Sequence, residues 1–167
     1  MQKITIIGCG GAGKSTLATQ LGSTLQLPVY HLDALYWKPN WVETDREQWI
    51  EIQQELVSKS HWIVDGNYGG TFDIRLEASD TIIFLDINRY ICLFRVVKRT
   101  LKHLGKNRAD MGPGCYERFD FNFIKWIYAF PRKKRPEILV KLSKLENIAD
   151  VHILSNKKEL ANFLGSV

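Results

Sequence analysis

Gly8-Cys9-Gly10-Gly11-Ala12-Gly13-Lys14-Ser15-Thr16 is the stretch that decides the fold. It follows the apolar, β-branched run Ile4-Thr5-Ile6-Ile7 and leads into a helical pattern that starts near Lys14. The spacing is G-x-x-x-x-G-K-[ST], set between a strand and a helix. Glycines permit the tight turn and let successive backbone N–H groups point inward around an anion. The helix N-terminus adds its partial positive charge. In such an arrangement Lys14 reaches the β- and γ-phosphates of a nucleoside triphosphate, and the Ser15 hydroxyl ligates Mg²⁺. A glycine-rich turn with a chance Lys-Ser after it would lack the flanking strand and helix, and both are here. Gly8, Gly10, Gly11, Ala12, Gly13, Lys14, Ser15 and Thr16 are the candidate phosphate-binding residues.

Outward from this loop, strands and helices alternate. The first helix carries Leu17, Leu21 and Leu25 as an inward stripe and ends at Leu27-Pro28. Val29-Tyr30-His31-Leu32 reads as a second strand ending at Asp33, and residues 34–42 as a loop rich in aromatics. The spacing Thr44-x-x-Glu47 predicts a capping box that opens a helix running to about Lys59. His61-Trp62-Ile63-Val64 reads as a third strand, closed by Asp65-Gly66-Asn67-Tyr68-Gly69-Gly70. A short helix over about 72–77 precedes Thr81-Ile82-Ile83-Phe84-Leu85, an uninterrupted apolar strand of the kind covered on both faces. Helices follow over about 89–104 and from about Asp120 to Leu145, the latter broken near Pro131 and Pro136. Between them, about 104–119 reads as a lid-like insertion rich in Gly, Pro and basic residues, expected to be helical. Asp150-Val151-His152-Ile153-Leu154 is the fifth strand, with a last helix over about 157–164. This order predicts one doubly wound α/β domain over 1–167 with a mostly parallel sheet.

Whole-chain properties narrow the function classes. The 167 residues are 45% hydrophobic and 25% charged, as in ordinary globular domains. No apolar run approaches the roughly 18 residues that span a bilayer, and the N-terminus enters a strand directly. Cys9, Cys92 and Cys115 are odd in number and lack metal-ligand spacing, so reduced thiols and a cytoplasmic protein are expected. The net charge of +5 can mean nucleic acid or membrane and also suits polyphosphate anions; where the charge sits decides between these, and no membrane partner is expected.

In an open parallel sheet, ligands sit at the carboxyl ends of the strands. Asp33, Asp65 and Asp86 occupy such ends, although Asp is common wherever a strand turns into a loop. Asp65 is the candidate Mg²⁺ partner beside Ser15. Asp33 is the candidate base for an acceptor hydroxyl, or a second metal contact. Asp86-Ile87-Asn88 reads as a helix cap at Asp86. Arg95 and Arg99 share a helix face, and Arg132-Lys133-Lys134-Arg135 lies beyond the insertion. Arg95, Arg99, Arg132 and Arg135 are the candidate phosphate contacts, since planar guanidinium forks suit phosphoryl oxygens. Tyr36, Trp37, Trp41 and Tyr68 either stack on a ligand or pack under the loops. The four histidines form no spaced pair, and no nucleophile triad is evident.

Together, Gly8 to Thr16, His31-Leu32-Asp33, Asp65-Gly66, Arg95/Arg99 and Arg132/Arg135 resemble the P-loop kinases of small molecules, especially the adenylate kinase-like branch. The resemblance implies a three-layer α/β/α P-loop NTPase fold with sheet order 2-3-1-4-5. It also implies ATP and Mg²⁺ as cofactors, Asp65 near the metal, and Lys14, Arg99, Arg132 and Arg135 on phosphates. In those families the base lies near the loop after the fifth strand, here Ser155-Asn156-Lys157, which makes Asn156 a candidate base contact. Residues 31–39, Asp65-Gly66-Asn67-Tyr68 and Met111-x-Pro113-Gly114-Cys115 further resemble the bacterial proteins labelled DNA topology modulation protein (FlaR-related). Two departures stand out. Asn67-Tyr68-Gly69 replaces the Phe-Pro-Arg of adenylate kinases, and the lid lacks a four-cysteine set. Asp33-Ala34-Leu35-Tyr36-Trp37-Lys38-Pro39 is similar to the Asp-x-Phe-Phe/Tyr-Lys-Pro segment of nucleoside and nicotinamide riboside kinases, which favours a nucleoside-type acceptor. The competing expectations are a nucleotide-regulated DNA-binding protein, although no helix-turn-helix, zinc finger or RNP signature is present, and a P-loop ATPase without a small-molecule acceptor, against which the water-excluding lid argues.

Overall fold

The computed structural model describes residues 1–108 and 110–167. In chain order the main elements are β1 (Lys3–Gly8), α1 (Lys14–Leu25), β2 (Val29–His31), α2 (Leu32–Tyr36), β3 (Trp37–Lys38), β4 (Val42–Glu43), α3 (Arg46–Ser58) and β5 (Trp62–Asp65). They continue with α4 (Phe72–Ala78), β6 (Thr81–Leu85), α5 (Arg89–His103), α6 (Phe121–Lys133), α7 (Arg135–Ser143), β7 (Asp150–Leu154) and α8 (Lys157–Gly165). Five strands form one parallel sheet in the order β2-β5-β1-β6-β7. Leaving aside the small β3-β4 pair, this is the expected 2-3-1-4-5 arrangement, with helices on both faces.

The centre of the sheet is the most apolar part of the chain. Ile4, Ile6 and Ile7 of β1, Ile63 and Val64 of β5 and Ile82, Ile83 and Phe84 of β6 have no exposed surface. A strand buried on both faces has no polar side to alternate with, which explains these continuous β-branched runs. The Leu17 and Leu21 stripe of α1 packs into this core, together with Cys92 and Val96 of α5 and Ile127 of α6. A second cluster, Leu32, Trp49, Leu56, Trp62 and Val64, sits under α3 with Tyr30, Tyr36 and Tyr68 around it. The three cysteines are buried and free.

Several local expectations are corrected. The cap of α3 is Asp45, whose carboxylate accepts from the N–H groups of Glu47 and Gln48. Thr44 instead donates to the carbonyl of Tyr36 at 2.6 Å, tying the helix start to the preceding hairpin. Asn88, rather than Asp86, caps α5. Asp86 is drawn away by Arg135, which donates to both its oxygens at 2.8–2.9 Å. Strand β2 stops at His31, so Asp33 lies on the short helix α2. Residues 34–42, expected as an aromatic-rich loop, instead hold the end of α2, strand β3 and the first residue of β4, and β3 and β4 pair antiparallel. Pro131 is accommodated within α6, and the break falls at Lys134, with Pro136 inside the first turn of α7.

The insertion between α5 and α6 contains no helix among its described residues; residue 109 lies outside them. It is held by the bridge between Asn107 and Tyr116 and by Arg108, which pairs with Asp110 and Glu117. Glu117 also accepts from the Thr100 hydroxyl at 2.7 Å, fastening the insertion to α5.

Candidate active site

The loop between β1 and α1 forms a concave cradle. Gly13 takes φ 107°, a left-handed conformation that favours glycine, and no side chain caps α1. The backbone N–H groups of Gly13, Lys14, Ser15 and Thr16 have no acceptor among the described residues. Uncommitted donors at a helix start, with the helix dipole behind them, are the physical requirement for holding a phosphate. The Lys14 ammonium lies over the same loop, donating to the carbonyls of Gly8 and Cys9 at 3.0 and 3.1 Å. Arg95 donates to the carbonyls of Ala12 and Gly11 from the other side, at 3.1 and 3.4 Å.

Below the cradle, the Ser15 hydroxyl donates to Asp65 Oδ2 at 2.8 Å. Asp65 is buried at the carboxyl end of β5, and its other oxygen meets His31 Nδ1 at 2.5 Å. The Asp65 hydrogen bond raises the pKa of His31 above its ordinary value, against the opposing effect of burial. A hydroxyl and a carboxylate side by side at a phosphate cradle are hard oxygen donors, the set that suits Mg²⁺. Among the described residues no group of three His, Cys, Asp or Glu side chains forms a metal site of its own. A cation here would therefore take its remaining ligands from phosphate and water, as Mg²⁺ does.

Asn67 is a site residue that sequence reasoning missed. Its side-chain amide donates to the carbonyl of Gly8 at 2.8 Å and accepts from the Gly8 N–H at 3.1 Å. Strand β5 pairs with β1 only as far as Gly66, whose N–H reaches the carbonyl of Ile6. The Asn67 amide thus extends the ladder by one step with a side chain in place of a peptide group. Behind it, the buried Arg75 holds the Asn67 carbonyl and also donates to Thr71 and Gln53. Arg75 has no carboxylate among these partners, and burial lowers its pKa to about 9.

The cradle opens into a cleft of about 900 Å³. Its walls carry Lys14, Ser15, Asp33, Trp37, Trp41, Asn67, Tyr68, Arg95 and Arg99, with Arg108, Asp110, Glu117 and Arg118 of the insertion facing them. Asp33 accepts from the Tyr68 hydroxyl at 2.7 Å. Burial beside Asp33 raises the pKa of that phenol, so it remains a donor. Trp41 sits at φ 62°, an uncommon conformation for a large side chain. Its indole N–H donates to the Tyr116 carbonyl at 3.0 Å, and the Arg118 guanidinium lies 5.2 Å from its ring centre. Tyr36 turns away and packs edge-on against Trp49. Burial, then the neighbouring Arg108, lowers the pKa of Arg99.

The three segments 31–39, 65–68 and 111–115 meet on this side of the cleft. Gly112 lies where a Cβ would come within 2.6 Å of the Trp37 carbonyl, and Gly114 packs on Pro39. The Cys115 thiol donates to the Lys38 carbonyl at 3.3 Å, and the Asn40 N–H to the Gly114 carbonyl at 3.1 Å. The insertion is therefore docked on the β3-β4 hairpin, so that both wall the same space.

Three sequence candidates lie elsewhere. Arg135 is committed to Asp86, Arg132 is exposed on α6, and neither lines the cleft. Asn156 caps α8, accepting from the N–H groups of Lys158 and Glu159 at 3.0 Å each, and is likewise outside the cleft.

No family model and no curated protein matches the chain. Among solved structures, it is similar to shikimate kinase from Acinetobacter baumannii in complex with shikimate, at 15% identity and a TM-score of 0.64 over 99% of this chain and 90% of that one. It is also similar to a gluconokinase from Sinorhizobium meliloti 1021, at 15% identity and a TM-score of 0.55 over 98% and 87% of the two chains. A sugar kinase from Janibacter sp. HTCC2649 aligns at 15% identity and a TM-score of 0.52 over 93% and 85%. The chain shares the fold of these kinases.

Proposed function

We propose that the protein transfers the γ-phosphoryl group of ATP to a hydroxyl of a small-molecule acceptor. The observation that carries this reading is the continuity of one cleft: uncapped backbone donors and Lys14 at one end, Asp33 and an aromatic wall at the other. Small-molecule kinases sharing the fold support the reaction class. The backbone N–H groups of Gly13 to Thr16 hold phosphate oxygens, and Lys14 leaves its two loop carbonyls for the transferred group. Ser15 and Asp65 hold Mg²⁺, which when bound neutralises phosphate charge. Asp33 orients the acceptor hydroxyl and takes its proton, with Tyr68 fixing the carboxylate. Arg95 and Arg99 stand where charge develops on the phosphoryl oxygens, and the docked insertion limits access of water. Trp37 and Trp41 offer flat faces to the acceptor, consistent with a nucleoside-type compound.

The test is ATP consumption in Mg²⁺ buffer against nucleosides, nucleoside monophosphates, sugars and hydroxy-acids, with the acceptor-free rate as reference. One compound should stimulate turnover strongly, and Lys14→Ala should abolish that turnover with the circular dichroism spectrum unchanged. Full activity in Lys14→Ala would remove the assignment.

A further inference from the structure

Residues 89–134 contain twelve Lys or Arg against three Asp or Glu, whereas the rest of the chain has more acids than bases. Arg95, Arg99, Arg108 and Arg118 of this group face the cleft. The others do not, and helices α5 and α6 carry no carboxylate. On α5 the buried positions Cys92, Val96 and Thr100 form the inner face. The opposite face is made of Tyr90, Phe94 and Leu101, continued by Leu104, and Phe94 and Leu101 are 68% and 66% exposed. Lys98 and Lys102, both exposed, flank this stripe.

The chain then turns back, and α6 packs against α5. Its outward positions are Phe121, Lys125, Tyr128 and Arg132, at helical spacing, with Phe121 77% exposed. Arg89 joins the two helices: its guanidinium lies 5.1 Å from the Tyr90 ring centre and 4.3 Å from that of Tyr128, and it donates to the Tyr128 carbonyl. The result is one outward surface of large apolar side chains set among lysines and arginines. Exposed apolar groups gathered in this way mark an interaction site.

We infer that this α5-α6 face docks on an anionic lipid surface. The uniform positive charge disfavours a second copy, because α5 against α5 would bring Lys98 and Lys102 toward their own equivalents. A nucleic acid would satisfy the lysines and stack on Tyr90, Phe94, Phe121 and Tyr128, but it would leave the exposed aliphatic side chains of Ile91, Leu101 and Leu104 against a hydrated phosphate backbone. Aliphatic and aromatic side chains that enter the acyl boundary, with Lys and Arg at headgroup level, are the composition of interfacial helices. No described helix is long and apolar enough to cross a membrane, so this is surface attachment. Because α5 presents Arg95 and Arg99 on its other side, the attached face lies one helix width from the cleft.

The experiment is co-sedimentation of the full chain with phosphatidylcholine vesicles, with and without phosphatidylserine. The protein should pellet only with phosphatidylserine, and less as salt rises. Phe94→Ala/Leu101→Ala should weaken binding at least about tenfold through lost apolar burial. Lys98→Glu should weaken it at least about fivefold. Both variants change exposed positions and should keep the native melting temperature and ATP affinity. No phosphatidylserine-dependent pelleting by the native protein would overturn the inference. So would unchanged binding in the double variant, or a concentration-dependent dimer that the same double variant dissolves. Retention on duplex DNA without retention on vesicles would overturn it as well.

Discussion

Asn67→Ala tests whether a side-chain amide serves as the last rung of the central sheet. In the native protein this amide makes two hydrogen bonds to Gly8, at 2.8 and 3.1 Å. Their loss is unequal. The Gly8 carbonyl keeps the Lys14 ammonium at 3.0 Å, so losing the Asn67 donor costs about 1 kcal/mol. The Gly8 N–H has no other partner among the described residues, and stranding a partly buried donor costs about 1–2 kcal/mol. The expected loss is therefore about 2–3 kcal/mol, read from the urea midpoint at constant m. Gly8 opens the phosphate cradle, so a loosened loop must be reordered when nucleotide binds. That cost, on the order of one hydrogen bond, corresponds to about a fivefold weaker affinity in a titration with a fluorescent ATP analogue. A stability loss below about 0.5 kcal/mol together with unchanged affinity would refute the reasoning.

Other expectations concern separate parts of the molecule. Gly11 has φ 79°, and a Cβ there would lie 2.5 Å from the Cys92 carbonyl oxygen, so Gly11→Ala should cost about 2–4 kcal/mol in chemical unfolding. Asp33→Asn should lower kcat by about 10²–10⁴ with whichever acceptor proves active, leaving ATP affinity within about twofold. Burial alone would raise the pKa of Asp80, but bonds from Thr81 and from the N–H groups of Gln2 and Lys3 hold it below its ordinary 3.8. A depressed carboxylate adds stability above its unfolded pKa and loses it as pH falls through its folded one. The stability gap between native protein and Asp80→Asn should thus be full at about pH 5 and shrink below about pH 4. A gap that stays constant to about pH 2 would contradict that.

The cradle was legible because its information is local: a strand, a loop of glycines and a helix start lie within fourteen consecutive residues, 3–16. Sheet order followed from resemblance, and the structure has it. What the sequence hid depends on distant partners. Asp86 and Asn88 are equally plausible caps until Arg135, far along the chain, takes Asp86. Asn67 and His31 gain their roles from Gly8 and Asp65, which no local spacing announces. Trp37 and Trp41 reach the cleft because the hairpin folds under the insertion, whereas Tyr36, edge-on against Trp37, packs on the second core and does not line the cleft. Arg132 and Arg135 share a basic run, yet the helix break at Lys134 sends them in different directions.

The central position of β1 also bears on how the chain is made. Its two neighbours come late in the chain: β5 begins at Trp62 and β6 at Thr81. At about 5–20 residues per second, a ribosome needs about 3–11 s to add the intervening 55 or so residues before the first neighbour exists. During that interval Ile4, Ile6 and Ile7 have no partner strand on either side. The ladder groups on the two edges of β1 are therefore not all paired until Leu85 has been added, so the first strand of the sheet to be made is completed only after both β5 and β6.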